Sequence, residues 1–294
     1  MEQVLQTFLT FLKSEYRYSE NTVAAYRNDL NQFFDFLMHG RAERLNSWAE
    51  VTPEIVDEYV YDLQHRKKPY APSSIARKVA AVKSFFNYLH ARSMVAHNPT
   101  EDIDSPKVEK RLPKTLAAKE IGELLQAPNR GDTPKHLRDA ALLNMLYATG
   151  MRVSEVVFLQ MDDVDLERKL LRVKVREGES LSREVPLDKE MHQILHKYLE
   201  DGRPYLLKNP TETALFLNHR GQQLTRQGLW LIIKSYAREA ELTSEVTPHT
   251  LRHSFAAHKL DSGSDLEEVQ RLLGHANIST TQIYTQLEEA SEKV

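Results

Sequence analysis

Apolar residues return every three or four positions along the first hundred residues, and that period predicts four helices. Val4, Leu5, Phe8, Phe11 and Leu12 form a stripe over Val4 to Glu15. Val23, Tyr26, Leu30, Phe33, Phe34 and Leu37 form a second over Asn21 to Met38, behind a polar start at Ser19 and Glu20. A third helix is expected from Pro53 to Gln64, with Thr52 as its cap and Glu54 in its first turn. A fourth, from Ser74 to Ala91, turns Ile75, Val79, Val82, Phe85, Phe86 and Leu89 to one side. Aromatic rings at this spacing are expected in a core rather than on a stacking surface.

The period fails from Asn98 to Pro113, where Pro99, Pro106 and Pro113 interrupt mixed charges. This stretch reads as a linker, and it divides the chain into residues 1–105 and 106–294. Beyond it, helical spacing returns at 116–126, 134–148, 154–160, 189–200, 226–240, 248–262 and 266–273. Strands are expected at 169–176 and 182–187, around Glu177-Gly178-Glu179-Ser180, and the alternation of Leu170 to Arg176 puts Arg172, Lys174 and Arg176 on one strand face. The fold class expected is therefore mainly α: a four-helix N-terminal domain and a helix-rich second domain carrying a small antiparallel sheet.

Composition narrows the setting. Hydrophobic residues make up 41% of the 294 and charged residues 28%, as in ordinary globular proteins. No apolar run approaches the ~18–20 residues of a membrane span, and Met1-Glu2-Gln3-Val4-Leu5 lacks the basic-then-apolar start of a signal peptide. The absence of cysteine excludes disulfides and thiolate metal sites. A cytoplasmic protein without a membrane partner is expected.

The chemistry gathers near the C-terminus. Thr247 reads as an N-cap and Pro248 as the first helical residue, so His249 falls in a first turn that favours anions. Arg252 is three residues on, shares a face with His249, and carries a planar fork that can hold two phosphate oxygens. Gly263 is a plausible stop for this helix. Asp265 can cap a short helix ending at Gly274, which sets His275 just past its end; Ser279 can cap another, with Tyr284 one turn in. Cations to hold a phosphate, imidazoles to move protons and a phenol to attack phosphorus suit a phosphodiester.

These motifs, in this order, resemble those of tyrosine recombinases of the XerC/XerD type, and the likeness runs over nearly the whole chain. Ala148-Thr149-Gly150-Met151-Arg152-Val153-Ser154-Glu155 resembles the family's first-arginine motif, and His249-Thr250-Leu251-Arg252-His253-Ser254 its His-x-x-Arg motif. Leu272-Leu273-Gly274-His275 with Ile278-Ser279-Thr280-Thr281-Gln282-Ile283-Tyr284-Thr285 resembles the second-histidine and nucleophile motif. Ser19 to Leu30 resembles the opening of the N-terminal domain. The resemblance implies a SAM-like core-binding domain followed by a catalytic domain that cuts and rejoins DNA at specific sites. Tyr284 would form a covalent 3′-phosphotyrosine and release a 5′-hydroxyl, Arg152 and Arg252 would hold the phosphate, and His249 and His275 would hydrogen-bond it or move protons. No cofactor and no metal is implied. The partners implied are double-stranded DNA with paired inverted half-sites, a tetramer of this chain or of it with a paralogue, and a DNA-translocase activator. The role implied is resolution of chromosome dimers at cell division, with integration or resolution of a mobile element as the alternative.

A net charge of −3 sits oddly with DNA, but the charge is segregated. Arg66, Lys67, Lys68, Arg77, Lys78, Lys83 and Arg92 fall in a stretch with no acid. The first six are candidate phosphate contacts, on a face that can be positive while the total stays near zero.

The sequence departs from the family at the hairpin. The usual Gly-Lys-Gly lysine, general acid for the leaving 5′-oxygen, is missing. Counting along the strand puts Arg176 in its place, while Lys174 lies one pleat away on the same face. Arginine holds its proton too tightly to be an acid, so Lys174 is the candidate. Only ten residues follow Tyr284, a shorter tail than relatives use to dock into a neighbour. Two other readings stay open: a DNA-binding relative with impaired catalysis, and a metal hydrolase built on His249, His253 and His258, although no glutamate follows the first histidine as metalloprotease spacing requires.

Overall fold

The computed structural model describes residues 1–40, 45–104, 113–174, 182–274, 277 and 280–284. The chain forms two compact units, Met1–Lys110 and Arg111–Val294.

The first unit is built on four helices, α1 (Glu2–Ser14), α2 (Glu20–His39), α3 (Pro53–His65) and α4 (Pro72–Ala91). Ser19 caps α2 by accepting from the Thr22 amide, and proline opens α3 and α4, where its missing N–H leaves no gap in the ladder. The apolar stripes meet in one core of Leu5, Phe8, Leu30, Phe33, Tyr59, Phe85 and Phe86 with Trp48. Many of the rings meet edge-on, as Phe33 does on Tyr59 and Phe8 on Phe85, while Phe33 stacks on Trp48, so the aromatic period is a packing device.

In the second unit α5 (Ala118–Gln126) and α6 (Pro134–Thr149) precede a one-turn helix α7 (Val153–Val157). Three antiparallel strands follow in the order β1 (Val164–Asp165), β2 (Leu170–Lys174) and β3 (Ser182–Pro186), with Val173 opposite Arg183 and Lys174 opposite Ser182. Then come α8 (Lys189–Lys197), which continues through a π-helical turn at Tyr198–Gly202 into α9 (Arg203–Leu206), and α10 (Arg226–Glu239), α11 (Pro248–Asp261) and α12 (Leu266–Leu273). Helix α6 is buried over most of its circumference and forms the axis of this core with Leu171, Val185, Phe216, Ile233 and Leu251. The fold is mainly α with one small antiparallel sheet, as the hydrophobic periods require.

Some boundaries differ from the sequence expectation. The edge strand β1 has two residues, too few for an alternation to show. The helix expected over 154–160 stops at Val157, because the chain turns to pair Gln160 with Ala214. Tyr284 lies in a tight turn, its amide donating to the Thr281 carbonyl, instead of one turn into an α-helix. The expected cap Ser279 lies outside the described residues.

Candidate active site

Three helix ends converge in the second unit. Helix α6 stops at Gly150, whose φ of +58° is the left-handed conformation that terminates helices. A Cβ there would lie 2.4 Å from the Phe255 ring, so glycine is required twice over. Helix α12, capped by Asp265, stops in the same way at Gly274 with φ +64°. Helix α11 starts at Pro248 behind Thr247, which accepts from the Thr250 amide.

Arg252 on α11 links the other two ends. One terminal nitrogen donates to the Gly150 carbonyl at 2.6 Å and the other to the Leu273 carbonyl at 2.8 Å. Each bond satisfies a carbonyl left over at a helix C-terminus. The residue is 6% exposed. Burial first, and then the charge of Arg152, pulls its pKa down to about 10, so it remains a cation at neutral pH. Two of its five N–H groups are used by the carbonyls.

Arg152 lies between α6 and α7 with 41% of its side chain exposed. It donates to the Gly274 carbonyl at 3.1 Å and to Glu155 Oε1 at 3.1 Å, while its own amide donates to Glu155 Oε2 at 2.7 Å. Glu155 is buried and is also gripped by Arg183 of β3 at 2.8 and 2.9 Å. Burial pushes the Glu155 pKa up, but the Arg183 ion pair and the contacts with Arg152 outweigh it and hold the carboxyl below its ordinary range. Two cations and one anion thus sit beside Arg252, leaving net positive charge where a phosphate would lie.

Tyr284 packs against Phe255, Val269 and Leu273 and is 2% exposed. Its hydroxyl is 2.8 Å from Nδ1 of His253, the residue after Arg252. Burial raises the phenol pKa and the Arg252 charge opposes that rise. His249 is exposed one turn earlier on α11, its ring 6.4 Å from that of His253. Arg152, Arg252 and Tyr284 are therefore brought to one place, with His249 beside them. Lys174 is at the end of β2, 58% exposed, its ammonium 3.8 Å from Asp163. His275 and Arg176 lie outside the described residues. The three histidines of the metal reading have separate surroundings: His258 bonds Tyr147 at 2.9 Å and His253 bonds Tyr284. Among the described residues no group of three or more histidines and acids is placed to hold a metal.

Three residues of this site, Glu155, Arg183 and His253, have no part in the phosphate chemistry expected from the sequence. Arg183 does leave a signal there, since alternation puts it on the same strand face as buried Val185. An arginine on an inward face needs a buried partner.

The basic stretch of the first unit needs correction. Lys78 is 6% exposed, with its ammonium 3.0 Å from the buried carboxylate of Asp29, so it is not a surface cation. Arg77 pairs with the other Asp29 oxygen, and Arg66 with Asp62 one turn earlier on α3. The missing acids come from α2 and from the preceding turn. Lys67 and Lys68 are exposed and Lys83 is half-buried.

Comparison with known proteins agrees with this geometry. The family described as "Phage integrase family" matches residues 114–291, and "Phage integrase, N-terminal SAM-like domain" matches residues 5–93. The chain belongs to the phage integrase family. It is a site-specific tyrosine recombinase, an enzyme that cleaves and rejoins DNA. A tyrosine recombinase XerC of Roseiflexus castenholzii is 50% identical over 293 residues, covering 99% of this chain and 91% of the relative. A tyrosine recombinase XerD of Listeria monocytogenes is 41% identical, covering 97% and 94%. Among solved structures, a XerA recombinase superposes with TM-score 0.54 at 28% identity, covering 99% of this chain and 98% of that one. The fold is shared with a XerH recombinase bound to its difH substrate, with TM-score 0.71 at 23% identity, covering 99% and 84%. No described helix of this recombinase is long and apolar enough to cross a membrane.

Proposed function

We propose that this recombinase acts on duplex DNA carrying paired inverted half-sites, working as a tetramer of itself or with a paralogue, and that its role is resolution of chromosome dimers. Its likeness to XerC and XerD relatives over nearly their full length supports the role over that of a mobile-element integrase. In this reading residues 1–105 bind DNA and 106–294 carry the chemistry. Lys67, Lys68 and Lys83 contact phosphate.

Tyr284 attacks phosphorus and forms a 3′-phosphotyrosine. Arg152 and Arg252 hold the non-bridging oxygens and stabilise the charge that builds on them. His249 and His275 hydrogen-bond the phosphate or move protons, and Lys174 protonates the departing 5′-oxygen. The link conserves the energy of the broken bond, so a second hydroxyl reseals the strand without a cofactor.

The observation that carries this reading is that Arg252 spans the ends of α6 and α12 while the Tyr284 hydroxyl bonds the next residue on α11. The test is a nicked suicide duplex that traps covalent adducts. Tyr284→Phe should bind the duplex and form no adduct. An adduct from that variant would refute the assignment.

A further inference from the structure

We propose that His253 is the base that takes the phenolic proton of Tyr284 as the tyrosine attacks phosphorus. The inference rests on Tyr284 being the nucleophile. His253 is the side chain hydrogen-bonded to the reacting oxygen, with Nδ1 2.8 Å from the hydroxyl. His249, on the same helix face, is exposed, with its ring centre 6.4 Å from that of His253.

A base must be unprotonated before the step, and the surroundings ensure this. Burial first, then the neighbouring charges of His249 and Arg252, hold the His253 pKa down at about 4. At neutral pH the ring is neutral. The tautomer with its hydrogen on Nε2 leaves the Nδ1 lone pair facing the phenol. So weak a base cannot deprotonate a free phenol in a buried site. Transfer must accompany bond formation, and the arriving phosphate assists it: its negative charge, held by Arg152 and Arg252, favours imidazolium beside it.

The groups that bear on this titration are His249 and Arg252 from α11 and the Tyr284 hydroxyl beyond α12. Arg152 and Glu155 near α7 and Arg183 of β3 act through Arg252. In the forward step the bond from Tyr284 Oη to phosphorus forms, the bond from phosphorus to the 5′-oxygen breaks, the phenolic proton passes to Nδ1, and the 5′-oxygen takes a proton from a separate acid. Rejoining runs this in reverse, with imidazolium returning the proton to the leaving tyrosine.

The experiment measures single-turnover cleavage of the nicked suicide duplex from pH 3.5 to 9, a range that spans the His253 titration, using the full chain at saturating DNA. His253→Gln can still hydrogen-bond the phenol but cannot take its proton. It should bind DNA like the wild type, cleave about 10²–10⁴-fold more slowly, and lose the acidic limb of the pH–rate profile. His253→Ala should regain rate as imidazole is added, with a pH dependence that follows imidazole's own titration. Cleavage by His253→Gln at the wild-type rate, faster cleavage by His253→Ala, or slow cleavage with an unchanged profile and no imidazole response would each overturn the proposal. The first two assign His253 to holding the tyrosine and the third to packing. An adduct from Tyr284→Phe in the same assay would instead refute the nucleophile assignment, whatever the His253 variants do.

Discussion

The carboxylate of Glu155 accepts from both terminal nitrogens of Arg183, at 2.8 and 2.9 Å. The same carboxylate takes the amide and guanidinium of Arg152. One buried anion therefore ties the sheet to the arginine that donates to the end of α12. The folded state holds this carboxyl below its ordinary value of 4.5. Its contribution is thus fully present above that value and is lost as pH falls through and below it. Glu155→Gln should destabilise the protein by about 1–3 kcal/mol at pH 7, and the gap to wild type should close below about pH 4.5. Urea unfolding at both pH values measures this. A gap that persists or widens in acid would contradict the ion-pair account.

The two phosphate-holding arginines should separate when stability and rate are both measured. Arg252 is buried and satisfies carbonyls of two helix ends, whereas Arg152 is partly exposed. Each change to Ala should lower cleavage roughly 10²–10³-fold with a smaller loss of DNA affinity. Arg252→Ala should also lower stability by about 1–3 kcal/mol, since buried carbonyls lose their donor, and Arg152→Ala should lower it less. Wild-type cleavage by either variant would remove it from the phosphate site.

The legible and hidden parts of the molecule differ by sequence distance. Helices such as α2, α4 and α11 are written in local periods and caps, and local rules find them within a few residues. The order of the arginine, histidine and tyrosine motifs is local as well. What Arg252 touches is not, because its two carbonyl partners are 102 and 21 residues away. The burial of Lys78 is hidden for the same reason: Asp29 lies 49 residues earlier on α2. The His253–Tyr284 bond spans 31 residues across a helix whose position the sequence does not disclose.

Those buried pairs sharpen the DNA-binding expectation for the first unit. Lys67 and Lys68 are exposed, so changing both to Ala should weaken binding to all sequences. The log–log salt slope should flatten by about 0.9 for each phosphate that a lysine no longer neutralises. Lys78→Ala should leave the slope unchanged and instead lower the melting temperature, since it strips one cation from a buried aspartate. A flattened slope for Lys78→Ala, or an unchanged slope for the double variant, would place the interface elsewhere.

The last prediction concerns the proton for the leaving oxygen. Lys174 ends β2 opposite Ser182, and its ammonium lies 3.8 Å from Asp163 at a largely exposed position. Asp163 is buried, and its other oxygen accepts from the Gln160 amide, so the aspartate keeps a partner when the exposed lysine swings to an arriving phosphate. If it then donates the proton, Lys174→Ala should slow cleavage of ordinary DNA about 10²–10⁴-fold. A 5′-thio leaving group needs little protonation, so the thio substrate should restore most of that rate. A residue that only stabilised charge would slow both substrates alike when removed, which is the behaviour expected if Arg176 holds the position. Asp163→Asn supplies the control, since freeing the ammonium should not slow cleavage. Normal cleavage of ordinary DNA by Lys174→Ala would exclude Lys174 as the acid.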